Sequence, residues 1–376
     1  MNPMTTVLHV AREPMTGVWT MMNVLRTEQT RRGLKSVLGV MVTASWPHRS
    51  SQVAESGPMF VATSPSIPGT LAHFYHEFLA NPVPQWVKQL KALGGSGKVI
   101  VHFHNAWLSG SFLSAALFEV ADRVIVTFHG FPAACLYDQP LRYRAHRHWA
   151  RALLASPSKL TSVDAASLYD YERLFGLPPD RFTIIPNSAP CARSRSPRLD
   201  GVAFRVGHVG ALNAHKGWRY TAEAVKILYT RGHNIRLTIV GTGDDQEAAG
   251  RWCRLHSAFA EYLGTVTDAG SVVIPTIDAL VLPSASEGMP MVILEAMAAG
   301  VVPVATAVGG IPALIQHMKT GLLIDRNTDS VSSALERLIS CPELTETLKR
   351  QARECFERHY APEQICRRYE AVYADE

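Results

Sequence analysis

Apolar residues in this chain come in short, nearly unbroken runs, separated by stretches whose apolar positions recur at helical spacing. In the first half the runs fall at 6–11, 36–43, 98–102, 123–128 and 182–185. Their β-branched, almost continuous character suits parallel strands covered on both faces. Between them, 19–31, 70–93 (broken by Pro82 and Pro84) and 109–121 read as helical. Such alternation marks an open, doubly wound sheet. Over 185–201 the composition turns to Pro, Ser, Arg and Ala, which places a linker there. The alternation then restarts. Strands are expected at 204–209, 235–240, 279–282, 301–305 and 322–324, with helices opening at Lys216, Asp244, Pro290, Ile311 and Asp329. A helical tail over 342–373 closes the chain. With 376 residues, more than one core serves well, the expectation is an α/β protein of two Rossmann-like domains, 1–190 and 201–360.

Composition leaves that picture in place, since 47% hydrophobic and 18% charged residues are ordinary for a globular protein. No run approaches the roughly 18 apolar residues of a membrane span. The first ten residues lack a basic stretch and a cleavage signal, and read as the first strand. Six cysteines (Cys135, Cys191, Cys253, Cys341, Cys355 and Cys366) form no C-x-x-C pair, against a zinc site or a disulfide scaffold and in favour of a cytoplasmic enzyme. Charge is uneven. Residues 1–200 carry 20 Lys and Arg against 12 Asp and Glu; the remainder carry 17 against 20. The densest basic run holds Arg142, Arg144, Arg147 and Arg151. It fits an anionic acceptor, or peripheral contact with an anionic membrane at its inner face, and equally a solvated helix face. Nucleic acid is not expected, because no helix-turn-helix, zinc or RNP pattern accompanies the run.

The chemistry concentrates in 285–300. Pro290 suits a first helical turn and Gly300 a helix end. The backbone N–H groups of Gly288, Met289 and Met291 then sit at a free helix N-terminus, a ready anion site. Glu287 lies just ahead of that terminus and Glu295 about one and a half turns inside it. Around Glu295 the helix is apolar on every side, so its carboxylate needs hydroxyl or N–H donors, such as the diol of a ribose. A buried Glu satisfied by backbone or an arginine is the structural alternative. Three glycine turns between strand and helix accompany it: Gly207-His208-Val209-Gly210 leading to His215, Lys216 and Gly217; Gly241-Thr242-Gly243 with the Asp244-Asp245 pair; and Gly309-Gly310. A cation at a helix start neutralises a diphosphate. Asp244 reads as a helix cap, not as a metal ligand.

In this arrangement the C-terminal half resembles a family 4 retaining glycosyltransferase of the GT-B fold. The matching pieces are Val209-Gly210-Ala211-Leu212 with Lys216-Gly217, the Gly241-x-Gly243 turn, Pro283-Ser284-Ala285-Ser286-Glu287-Gly288 with Glu295, Gly309-Gly310 and Gly321. Thr127-Phe128-His129-Gly130 and Pro186-Asn187 extend the likeness more loosely into the first half. The resemblance implies that the two domains face a central cleft and close around the donor, and that a terminal helix over about 360–376 packs back on the first domain. It implies that Glu295 holds ribose hydroxyls and Glu287 those of the donor sugar. Lys216, with the Met291 and Val292 amides, would neutralise the diphosphate. Gly17, Gly210, His215, Gly241, Gly243, Gly288 and Met289 complete the donor site, and His129 faces donor sugar and acceptor. No metal or cofactor is implied beyond the nucleotide sugar itself, and the acceptor would be a glycan or a lipid-linked glycan, as in bacterial surface polysaccharide synthesis. His102 and His104 read equally as functional or as packing residues.

Two positions depart from the family. Ala211 stands where an arginine is usual, and Met15-Thr16-Gly17-Val18 offers one glycine where two are usual. His208, His215 or Arg219 could replace the missing cation. Rival readings are a nucleotide-sugar epimerase of similar architecture and a nucleotide-sugar-binding pseudoenzyme. No G-x-G-x-x-G follows a leading strand, against a dinucleotide-dependent dehydrogenase.

Overall fold

The computed structural model describes residues 5–11, 16–43, 59–64, 97–104, 115–130, 150–191 and 202–374, with isolated positions 92, 95 and 147. The chain divides into two compact units, Met1–Pro186 with Pro362–Glu376, and Asn187–Ala361. Among the described residues no helix is long and apolar enough to cross a membrane.

In the first unit the strands are β1 (Thr6–Ala11), β2 (Lys35–Thr43), β3 (Met59–Ser64), β4 (Val99–His104), β5 (Arg123–Phe128), β6 (Lys159–Ser162) and β7 (Phe182–Ile184). They form one parallel sheet in the order β3-β2-β1-β4-β5-β6-β7. Val7, Leu8, Val10, Val101, Phe103, Ile125 and Val126 are buried. A run apolar on both sides of its pleat needs cover on both faces, which is why these segments take central places. Helix α1 (Thr16–Arg31) follows β1 and α2 (Ala115–Phe118) precedes β5; α3 (Ala166–Phe175) follows β6. The helix expected over 70–93 falls almost wholly outside the described residues, as do Arg142 and Arg144; Arg147 is exposed.

The second unit carries β8 (Phe204–Val209), β9 (Ile235–Val240), β10 (Ala260–Tyr262), β11 (Ala279–Leu282), β12 (Val302–Thr306) and β13 (Leu322–Ile324). Its sheet is again parallel, in the order β10-β9-β8-β11-β12-β13. Helices α4 (Trp218–Thr230), α5 (Gln246–Leu255), α6 (Ala269–Val272), α7 (Met291–Ala299), α8 (Ile311–Leu314) and α9 (Thr328–Ser340) connect or follow the strands. Strand order reverses direction between β8 and β11, and in β1 and β4 of the first sheet. Loops at the carboxyl ends of such strand pairs splay apart and leave a crevice for ligands. The loops after β8 and β11 carry His215 and Lys216, and Ser284 and Glu287, respectively.

The tail is not one helix. It breaks at Tyr360-Ala361 into α10 (Pro342–His359) and α11 (Pro362–Ala374). Pro362 lacks an N–H and disfavours helical geometry in the residue before it, which accounts for the break. Helix α11 is fixed to the first unit by a two-pronged Arg32–Glu370 ion pair (2.7 and 2.8 Å) and by Arg123, which donates to the Val372 carbonyl at 3.0 Å.

Candidate active site

The loop after β8 is shaped by its backbone. Gly217, at the start of α4, has φ +72°, and a side chain there would collide with the Pro283 carbonyl. Only glycine accepts that pairing of left-handed backbone and close approach. The helix therefore begins at Trp218, and Lys216 lies ahead of it in the loop. Asn213 Oδ1 accepts from the Lys216 amide at 3.0 Å, and the His215 carbonyl accepts from the Ala285 amide at 2.9 Å. Arg326 adds a clamp. Its guanidinium donates to the carbonyls of Pro283 (3.1 Å) and Ala214 and lies over the Tyr220 ring, tying the β8 loop to the β11 loop.

This holds Lys216 Nζ 2.6 Å from Glu287 Oε1, and the Ser284 hydroxyl donates to the same oxygen at 2.6 Å. The Glu287 side chain is 8% exposed and that of Lys216 is 26% exposed, so a buried carboxylate is matched by a cation open on one side. His215 Nε2 contacts the Ser286 hydroxyl at 3.0 Å, one residue from Glu287. Gly309 lies against the Glu287 carbonyl where a side chain could not fit, and the Gly310 amide donates to the Gly288 carbonyl at 2.9 Å. Met289 is buried, its carbonyl accepting from Asn187 Nδ2 at 3.0 Å.

Helix α7 starts at Met291 with Pro290 as its cap residue, one position later than the spacing implied, and no side chain caps it. The Met291 and Val292 amides thus head the helix as donors. Gly300 ends it in the left-handed conformation. Inside the helix, Glu295 reaches toward α6, where a side chain at Gly270 would come within 2.8 Å of Glu295 Cδ. Burial, with the Asp268 charge as a lesser cause, pushes the Glu295 carboxyl up to about 7.

Gly241 and Gly243 pack against backbone. A Cβ on Gly241 would strike the Gly210 carbonyl, while the Gly210 amide donates to Val240 O at 3.0 Å and that of Leu212 to Thr242 O at 2.8 Å. Two glycine turns are laced together here. Asp244 is not the cap of α5. Asp245 takes that position without a side-chain cap bond, because its carboxylate accepts from the Trp218 indole (3.0 Å) and Arg219 (3.3 Å). An indole N–H facing the core needs an acceptor, and Asp245 supplies it.

Of the three proposed substitutes for the missing arginine, the structure separates His208 and Arg219 from the Lys216 loop's chemistry. His208 is fully buried in β8, and burial pushes its imidazole down to about 4, so it is neutral at pH 7. Arg219 pairs with Asp245 and stacks on Trp218 at 4.6 Å. His215 alone lies beside the Glu287 loop. In the first unit, His129 follows β5 directly and Gly17 sits in the first turn of α1, not in the loop before it. His102 and His104 are both buried, on one face of β4, since the pleat repeats every two residues.

A sequence profile described as Glycosyltransferase Family 4 matches residues 15–193, and one described as Glycosyl transferases group 1 matches 203–341. The chain is 35% identical over 181 residues to a D-inositol 3-phosphate glycosyltransferase of Pseudarthrobacter chlorophenolicus, covering 44% of this chain and 42% of that protein. It is 26% identical over 288 residues to the amylovoran biosynthesis glycosyltransferase AmsK of Erwinia amylovora, covering 71% and 60%. Matches to the first curated relatives span less than half of their length. Among solved structures, Anabaena Alr3699/HepE in complex with UDP superposes with TM-score 0.76 at 16% identity, over 99% of this chain and 100% of that one. The same protein in complex with UDP-glucose gives 0.75 at 15%.

Proposed function

The chain belongs to glycosyltransferase family 4, with the GT-B fold, and on that premise we propose that it moves a sugar, with retention, from a nucleotide diphosphate to an acceptor hydroxyl. The observation that carries this reading is the buried Glu287 carboxylate held by Lys216 and Ser284 beside the uncapped start of α7. Lys216 and the Met291 and Val292 amides take the departing diphosphate, a preorganised set of donors aimed at developing charge. Glu295 accepts from the ribose hydroxyls. Glu287 receives hydroxyls of the donor sugar, and His129 serves the transferred sugar and the acceptor. Gly17, Gly210 and Gly288 allow close approach of backbone to the donor, while Gly241 and Gly243 keep the flanking turns in contact. A uridine nucleotide is the first donor to try, supported by the ligands of HepE. The acceptor is a glycan of a surface polysaccharide or its lipid-linked precursor, a class supported by the likeness to AmsK.

Thermal shift with UDP-, GDP- and ADP-sugars tests the reading, because a ligand at about 100 times its Kd adds about 2.7 kcal/mol of stability. No shift with any of them defeats it. Glu287→Ala separates the roles. Loss of a charged hydrogen-bond partner is expected to weaken sugar-nucleotide binding by roughly 10–150-fold while sparing the bare nucleotide diphosphate. Equal losses for the two ligands in calorimetry would remove Glu287 from the sugar. Catalysis is assigned to Lys216 and backbone amides, so turnover is expected to survive EDTA. Loss on chelation, restored by Mg²⁺ or Mn²⁺, would replace those donors with a metal.

A further inference from the structure

The charged groups of the two site loops do not cancel, and the excess lies on Arg326. Lys216 faces Glu287 at 2.6 Å, so ammonium and carboxylate balance each other. Arg219 is matched by Asp245 at 3.3 Å. Ala211, the second residue after β8, is exposed and uncharged. Arg326, by contrast, has no carboxylate partner among the described residues. Its guanidinium donates from Nε to the Pro283 carbonyl at 3.1 Å and from Nη2 to the carbonyls of Ala214 and His215, the latter at 3.5 Å. Its central carbon lies 5.2 Å from the centroid of the Tyr220 ring. All of these partners are neutral, so the positive charge stays uncompensated beside the loop that carries Lys216.

The side chain stands on a fixed base. Arg326 lies between β13 and α9, where the Asp325 amide donates to Ser330 Oγ at 3.0 Å and Asn327 caps α9 by accepting from the Ser330 amide at 2.8 Å. The planar fork of arginine meets carbonyls of both loops in set directions, which a lysine ammonium on its flexible stem does not. The Tyr220 ring, in α4, attracts the cation from one face. The contact also polarises the loop. In a trans peptide the N–H and C=O point opposite ways. A cation on the Ala214 carbonyl therefore makes the His215 N–H, on the other side of that peptide, a stronger donor.

A ligand that carries a diphosphate brings more negative charge than a balanced Lys216–Glu287 pair answers. Drawing Lys216 away would strip the Glu287 carboxylate, 8% exposed, of its cation, and breaking so buried a pair is costly. A second, unmatched cation removes that conflict. We propose that Arg326 is a positioning residue of the donor site: it holds the β8 loop from the carbonyl side and supplies the net positive charge with which Lys216 meets a diphosphate while staying paired to Glu287. What that charge meets rests on the glycosyltransferase reading; the clamp and the charge imbalance do not.

Calorimetry of the full chain with UDP, GDP and ADP at pH 8 tests this, the tightest of the three serving as probe. A wild-type chain that binds none of them defeats the glycosyltransferase reading before any variant is made. Arg326→Gln keeps a donor for the carbonyls and removes the charge, whereas Arg326→Lys keeps the charge and loses the fork. Affinity is expected to fall roughly tenfold in the first, the low end for a charge-assisted hydrogen bond, and less than about threefold in the second. Ala211→Arg places a cation in the same loop at an exposed position. It is expected to recover most of the affinity lost in Arg326→Gln, to change the wild type far less, and to leave the melting temperature of Arg326→Gln where it was. A residue that only braces the loops would not show that non-additivity. Unchanged affinity in Arg326→Gln overturns the proposal, as do equal losses in the two Arg326 variants or an equal effect of Ala211→Arg in both backgrounds. Should Arg326→Gln not fold, Arg326→Lys decides: affinity within about threefold of wild type upholds the role of charge, and a tenfold loss overturns it.

Discussion

Lys216→Ala is expected to lower sugar transfer by about 10²–10³-fold, the usual consequence of removing one preorganised donor from developing negative charge. The ammonium stands 2.6 Å from Glu287 Oε1 in a loop that Gly217, Asn213 and Arg326 hold by backbone contacts. A departing diphosphate gains charge as the bond to the sugar breaks, so a fixed cation stabilises the transition state more than the bound substrate. Some loss should also show in KM, because the bound donor already carries negative charge. The alanine variant leaves the buried Glu287 carboxylate with Ser284 alone, and part of the effect could come from a disturbed loop. Two measurements separate these causes. Melting temperature reports the structural cost, and Lys216→Arg keeps the charge but replaces a compact ammonium with a planar fork, so its activity is expected to fall between wild type and alanine. If Lys216→Ala keeps turnover within a factor of about three, the ion pair is structural and the diphosphate is neutralised elsewhere.

Where the sequence was legible, burial made it so. Strands 6–11, 123–128, 204–209, 235–240 and 279–282 coincide with β1, β5, β8, β9 and β11, because central parallel strands must be apolar on both sides. Of the strands that pattern reading passes over, β6 is largely polar and β10 is short, while β3 is neither. In β6, Thr161 and Ser162 are buried, with Thr161 paired to Thr127 at 2.6 Å and Ser162 to the Asp164 carbonyl at 2.8 Å. A hydroxyl satisfied inside the core looks, in sequence, like one facing water. β10 has three residues at a sheet edge, too few to set a period.

The site divides in the same way. Glu295, Lys216 and the head of α7 stand out because a carboxylate in an apolar setting and a glycine before a helix are local signals. Partners distant in sequence do not. Arg326 reaches Ala214 from 112 positions away, and Gly270 makes room for Glu295 from another helix. The Asp244-Asp245 pair shows the opposite fault. The sequence invites a capping role for Asp244, but the cap position falls to Asp245, whose carboxylate is claimed by an indole N–H elsewhere in the fold.

Glu295→Gln is expected to weaken nucleotide binding by roughly 10–150-fold at pH 8, the worth of charge-assisted bonds from ribose hydroxyls to a carboxylate. The size of that loss should depend on pH. Burial first, and the Asp268 charge second, raise the Glu295 carboxyl from 4.5 to about 7 in the free protein. A raised carboxyl pKa contributes stability that is complete below 4.5 and is lost as pH rises through about 7, so the empty site prefers the protonated form. Ribose hydroxyls donate to the ionised form and so pull the pKa down on binding. Binding must then release a proton below about pH 7, and affinity should rise with pH, by up to about tenfold per unit, until it levels off above 7. Glutamine has no proton to lose. The variant's affinity should be flat between pH 5.5 and 8.5, and its deficit should shrink toward pH 5.5, where the wild-type carboxyl is largely protonated already. Calorimetry with UDP-glucose, which has no terminal phosphate to titrate in this range, in two buffers of different ionisation enthalpy counts the proton. A wild-type affinity that does not change with pH, with no proton released at pH 6.5, would mean that the ribose lies elsewhere and that Glu295 stays a protonated side chain against Gly270.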